Sequence, residues 1–143
     1  MTDLTLDIAR KILDAALAQA SQNKLKPLAV FVLDPRGCIK ASAAQDGSSL
    51  LRGEIAHGKA YGALALGIGS RAIFKRAEEQ AYFVGAVNTL ARGALVPVPG
   101  GVLIQDDSGT LLGAVGISGD TSDNDEACAI AGIAAVGLKP NAG

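Results

Sequence analysis

The chain has 143 residues, a net charge of −1, 49% hydrophobic residues, 3% aromatic residues and 18 glycines. That length suits one domain around one core, built from Ala, Val, Ile and Leu rather than from rings. The near-neutral charge excludes a general nucleic-acid or membrane-surface binder, because such a protein needs a clustered positive field.

The local basic group Arg71, Lys75 and Arg76 reads as a solvated helix face. No segment approaches the roughly 20 apolar residues of a membrane span. Met1-Thr2-Asp3-Leu4-Thr5 has neither the basic nor the apolar region of a signal peptide. These features predict a cytoplasmic protein with no membrane partner, in which Cys38 and Cys128 are reduced thiols.

In chain order, Leu6, Ala9, Leu13, Ala16, Leu17 and Ala20 recur at helical spacing. Thr5 is the expected N-cap, Asp7 suits the first turn, and Pro27 stops the helix after about Asn23. The apolar run 28–33 reads as a buried strand. Asp34-Pro35-Arg36-Gly37 carries Pro and Gly at their type I turn positions, and 38–43 returns as the partner strand.

A second helix is expected over 51–66, capped by Ser48 or Ser49. Gly53, Gly58 and Gly62 lie inside it, each costing about 1 kcal/mol against alanine. Close packing against a sheet or a neighbouring subunit is the expected return. Gly67 and Gly69 end that helix. Ser70 is expected to cap a charged helix to about Gln80, and an apolar helical stretch runs on to Arg92. Strands are expected over 95–98, 101–105 and 111–117. The last helix is expected from about Asp123–Asp125 to Val136, with 139–143 as a frayed tail.

Residues 30–37 and 102–109 form a faint internal repeat: strand, acidic turn, strand, helix. The reading is two similar hairpins in one antiparallel sheet with helices on it, an α/β (α+β) domain spanning 1–143.

Several motifs offer chemistry. Gly67-Ile68-Gly69-Ser70-Arg71-Ala72 matches a dinucleotide fingerprint, but a helix precedes it where a strand is required. The helix start with Arg71 remains an anion-site candidate, against a plain glycine break. Asp120-Thr121-Ser122-Asp123-Asn124-Asp125-Glu126 is a helix start with the wrong spacing for an EF-hand. Ser118 lacks a nucleophile-elbow context, so no triad is expected.

Glu54, His57 and Tyr61 are spaced to share one helix face. They place a carboxylate, an imidazole and a phenol in a stripe among residues too small to cover them. His57 is the only histidine. Its alternatives are a partly exposed surface residue, a metal ligand, or an acid–base group. Lys59 lies on another face, where it either pairs with a carboxylate of ligand or protein or snorkels to solvent. Gly100 and Gly101 would let a ligand touch backbone N–H groups.

Pro99-Gly100-Gly101-Val102, then Gly113-Ala114-Val115-Gly116-Ile117-Ser118-Gly119, then Asp125-Glu126 before an alanine-rich helix, with Lys59-Ala60 as a weaker mark, resemble the GlcG/HbpS family. These are small haem-binding-like proteins, also found fused to corrinoid adenosyltransferases. The resemblance spans roughly residues 5–138. It implies a profilin-like α/β/α arrangement with a five-stranded antiparallel sheet, an assembly larger than a dimer, and haem or a corrinoid as ligand. Axial ligation is open among His57, Tyr61, Tyr82, Met1 and a cysteine.

Two functions are therefore expected. The first is an oligomeric binding protein for haem, a corrinoid or a related small molecule. The second is a small enzyme acting on an organic acid, with His57 or a carboxylate moving protons and Lys59 or Arg71 holding the acid. The pocket is expected beside the second helix, lined by Glu54, His57, Lys59 and Tyr61, with Arg71, Gly100 and Gly101 near. A homo-oligomer is further expected from the small-residue faces of the second and last helices.

Overall fold

A computed structural model describes residues 3–143. The element order is α1 (Leu6–Gln22), β1 (Ala29–Leu33), β2 (Ile39–Ala44), α2 (Arg52–Leu66), α3 (Ser70–Glu79), α4 (Ala81–Leu90), β3 (Gly101–Gln105), β4 (Leu111–Ser118), α5 (Ser122–Ala135) and β5 (Lys139–Asn141). One antiparallel sheet runs β2-β1-β4-β3-β5. It is the α/β domain with five strands that the sequence suggests.

The two hairpins share one turn chemistry. In the first, Asp34 Oδ1 accepts from the N–H groups of Arg36 and Cys38, and Gly37 N donates to Asp34 O. In the second, Asp106 Oδ1 accepts from Ser108 and Thr110, and Gly109 N donates to Asp106 O. Gly37 and Gly109 both take left-handed backbone, with φ of 87° and 81°. The faint repeat is thus a repeated side-chain-to-backbone turn.

Alternation along the strands separates two faces. Val30, Val32, Val102, Ile104, Val115 and Ile117 form the main core with α1 and α5. Leu33, Leu103 and Ala114 pack on the other face with Ala60 and Ala63 of α2. The sheet is therefore the middle layer of an α/β/α sandwich.

Glycine sets how closely α2 approaches. A methyl at Gly116 would overlap the Ala56 carbonyl oxygen, and one at Gly101 would overlap the carbonyl of Lys59. On the helix itself, an added Cβ at Gly58 would lie 2.6 Å from Val96 Cγ2, and at Gly62 2.9 Å from Leu95 Cγ. The helix glycines thus receive the 94–98 segment of the same chain. Gly132 of α5 meets Ile12 of α1 in the same way. Both small-residue faces expected at a subunit interface are consumed at least in part within the chain.

Four local expectations are corrected. Residues 95–98 are not a strand. Pro97 and Pro99 lack the N–H that a ladder needs, and the segment instead rests on α2, with Val96 N donating to Gly58 O at 3.1 Å. The fifth strand is β5, drawn from the expected frayed tail and paired with the open side of β3. The N-cap of α2 is Leu51, with no side-chain cap; Ser48 and Ser49 do not serve. The N-cap of α3 is Gly69, and Ser70 Oγ accepts from Gly101 N at 2.7 Å instead. Thr5 and Thr121 do cap α1 and α5.

Candidate functional site

A cleft of about 380 Å³ opens where the first half of α2 faces β1, β2 and the turn after α4. Its walls are Phe31, Ile39, Gly53 and Ala94, with Glu54, His57, Arg92 and Gly93 completing it. The volume lies within the usual range for small-molecule sites, as does a mostly apolar lining with a few polar groups.

His57 is held by rings rather than by hydrogen bonds. Its imidazole meets Phe31 edge to face, with centroids 5.6 Å apart. It stacks on Tyr61 at 5.7 Å and 19°. The one-turn spacing between His57 and Tyr61 makes that stack possible. Among the described residues, neither ring nitrogen has a hydrogen-bond partner in the protein. Burial disfavours the imidazolium and lowers the His57 pKa below its usual 6.5. A neutral imidazole in an apolar cleft is able to donate a lone pair to a metal or to accept a proton.

Gly53 stands four residues before His57 on the same helix face. It leaves the space that any side chain would fill, and Phe31 lies behind it. Glu54 is exposed at the mouth. Tyr61 borders the adjoining grooves, one with Pro35, Arg36 and Gly37 and one with Val87, Leu90 and Ala91.

The other expected residues stand elsewhere. Lys59 turns away from the cleft and is buried, with 2% exposure. Its Nζ donates to Ile117 O at 2.8 Å and to Asp125 Oδ2 at 3.2 Å. Of the two readings for Lys59, a protein carboxylate takes it and solvent does not. Burial lowers the Lys59 pKa and raises that of Asp125, while their mutual attraction opposes both shifts.

Gly100 gives Lys59 passage: an added Cβ there would sit 2.9 Å from Nζ. The Gly101 N–H is already bonded to Ser70. Arg71 pairs with Asp123 and Glu126 of α5, both of which hold its charge more firmly. At the N-terminus of α3, weighed as an anion site, Arg71 N donates to the chain's own Ala142 carbonyl oxygen at 3.2 Å. Glu54 and His57 thus share the cleft, with Tyr61 stacked on His57 outside its lining, while Lys59 with Gly100 and Gly101 packs inside the fold and Arg71 braces α3 to α5.

Phe31, Ile39, Gly53, Arg92, Gly93 and Ala94 are the cleft residues that the sequence reading did not select. Gly53 carried a signal, being one helical turn from the only histidine. The others come from strands and a turn remote in sequence, and only the fold brings them near. No cluster of three or more His, Cys, Asp or Glu able to hold a metal exists among the described residues. Any metal there must arrive with other ligands of its own.

A family model described as "Haem degrading protein HbpS-like" matches residues 4–134. The crystal structure of a PduOC:heme complex superposes with a TM-score of 0.86 at 25% identity, over 96% of this chain and 97% of that one. The crystal structure of HbpS gives a TM-score of 0.80 at 26% identity, over 95% and 92%. The Klebsiella pneumoniae protein ORFY gives 0.82 at 20% identity, over 94% and 91%, a likeness of fold alone. A search of curated protein sequences found no match.

Proposed function

The chain belongs to the HbpS-like family, and from that premise we propose that it binds haem in the cleft over α2, with His57 as the protein ligand to iron. One observation carries this reading. The chain's only imidazole lines an apolar cleft, is shifted toward its neutral form, and has no hydrogen-bond partner of its own among the described residues. The similarity to a haem complex of the same fold supports the choice of ligand.

The residues present fit the group. Haem takes a protein donor such as an imidazole nitrogen, apolar walls for its ring and a route to solvent for its carboxylates. His57 is the nitrogen, Phe31, Ile39 and Ala94 are walls, and the mouth is open and polar. When bound, the group would supply an iron already held in its own macrocycle, so the chain would need to add only the His57 nitrogen. The chain's own contribution is orientation: Tyr61 and Phe31 fix the plane of the His57 ring, and Gly53 keeps the approach clear. A corrinoid would likewise take one nitrogen base from the chain, so cobalamin is the comparison ligand.

The test is absorbance. Titrating the protein with haemin is expected to give a red-shifted Soret band at one haem per chain. His57→Ala, with an unchanged circular dichroism spectrum, is expected to abolish the shift. An identical band in the variant would sink the assignment.

Glu54 and His57 share the cleft, which favours acid–base chemistry on a small organic acid as the second reading. Turnover of such an acid without any haem-dependent absorbance would favour it.

We further propose that the protein is a homo-oligomer larger than a dimer. Leu50 (93% exposed), Leu90 (82%) and Tyr82 (77%) are large apolar side chains left in water by the single chain. Light scattering at micromolar concentration is expected to exceed the 14.4 kDa of one chain several-fold, and a mass of one chain would refute this. No helix among the described residues is long and apolar enough to cross a membrane. Free Cys38 and Cys128 support placing the protein in the reducing cytoplasm.

A further inference from the structure

The cleft contains one cation, Arg92, that no other side chain engages among the described residues. Arg36 pairs with Asp34, Arg52 bonds Ser118, Arg71 pairs with Asp123 and Glu126, and Arg76 lies against Gln80 and Phe83; Arg10 of α1 is unpaired among the described residues but does not line the cleft. Arg92 has no ion pair and no side-chain hydrogen bond among the described residues, yet it lines the cleft with Glu54 and His57. A guanidinium presents its donors in a planar fork suited to a carboxylate.

Its backbone makes the residue choice informative. Arg92 follows the Ala91 C-cap of α4 with φ of 59°, and Gly93 follows it with φ of 79°. Such a position after a helix is ordinarily glycine, because a side chain strains left-handed backbone. Lys24 repeats the same conformation after α1, away from the cleft, so the conformation alone is a helix ending. Arg92 differs in where it stands: this turn lines the cleft that contains the histidine.

We propose that Arg92 is the carboxylate anchor of this cleft, selecting flat apolar ligands that bear a free acid. The inference rests on the porphyrin reading above and goes beyond it, because it concerns the periphery of the ligand and not its metal. Glu54 is the opposing charge at the same mouth and disfavours a carboxylate placed beside it. The acid therefore belongs at the Arg92 side.

Metal-free protoporphyrin IX and its dimethyl ester separate this role from iron ligation. Fluorescence titration is expected to show about fivefold tighter binding of the acid than of the ester, the scale of a partly exposed charge pair. Arg92→Gln is expected to reduce that preference to within about twofold, and Arg92→Lys to keep part of it.

Arg92→Gly relieves the backbone, so it is expected to fold with equal or greater stability while also losing the preference. Equal binding of acid and ester by the parent, binding of neither, or a preference retained in Arg92→Gln would overturn the proposal. A His57-dependent Soret band that persists alongside that result would leave the haem reading standing, so the two failures are distinguishable.

Discussion

Lys59 on α2 and Asp125 on α5 meet at 3.2 Å although their helices cover opposite faces of the sheet. The lysine reaches past Gly100 at the end of the sheet, and also donates to the Ile117 carbonyl. Asp125 Oδ1 meanwhile accepts from Asp120 N at 3.0 Å. The pair clamps both outer layers to the middle one. It also fixes the turn that starts α5.

Breaking this pair from one side leaves a buried charge without a partner. Lys59→Met or Asp125→Asn is expected to cost about 3–5 kcal/mol. The double replacement Lys59→Met with Asp125→Leu is expected to recover most of that loss, since neither residue then carries a charge into the interior. Urea unfolding of the three variants measures it. Single variants as stable as the parent would show that water reaches the pair in solution.

The fold was legible where local chemistry decides structure. Thr5 and Thr121 cap their helices, and the Asp-led turns at Asp34 and Asp106 recur because a short carboxylate satisfies the same two N–H groups in each. It was illegible where distant segments compete for one surface. Residues 95–98 have strand-like composition, but Pro97 within them and Pro99 after them cannot ladder, and Gly58 and Gly62 offer the segment a seat on α2 instead. Lys139–Asn141 has little strand character, yet the open side of β3 recruits it.

The site divided in the same way. The Glu54, His57 and Tyr61 stripe follows from helical spacing on one element. Arg92 and Phe31 enter through tertiary packing, which spacing does not reveal. The sequence left Lys59 open between a carboxylate and solvent, because the carboxylate that takes it is 66 residues away.

The close approach of α2 to the sheet predicts sharply different outcomes for two glycines. At Gly116 an added methyl would overlap the Ala56 carbonyl oxygen, a backbone atom that cannot turn aside. Gly116→Ala is expected to destabilise the protein by about 1–3 kcal/mol or more. At Gly85 in α4 the added methyl meets nothing within 4 Å. Gly85→Ala is expected to stabilise by about 0.4–1 kcal/mol, since alanine restricts the unfolded chain and suits a helix. Paired thermal melts compare them, and an equal loss in both would contradict this account of the α2 seat.

His57 gives the site a pH dependence whose sign follows from its surroundings. Burial among Phe31 and Tyr61 lowers its folded pKa below 6.5, while the unfolded chain keeps the ordinary value. Between those two values the unfolded state binds more protons, so stability rises with pH across the interval. The contribution is complete above pH 6.5 and is lost as pH falls through the folded value. Asp120 acts lower: its pKa falls from 3.8 to about 2 through bonds from Asn124, Lys26 and Thr121, so its contribution is lost as pH falls from 3.8 toward 2.

Ligand binding through the neutral ring should follow the upper window alone. The haem Soret shift is expected to hold from pH 8 to 6.5 and to decline only below that. Relative to His57→Gln, the parent's unfolding midpoint is expected to fall as pH drops below 6.5, and the two are expected to run parallel above it. A Soret shift already half lost at pH 7 would mean that the imidazole is not shielded, and that this ring is not the iron ligand.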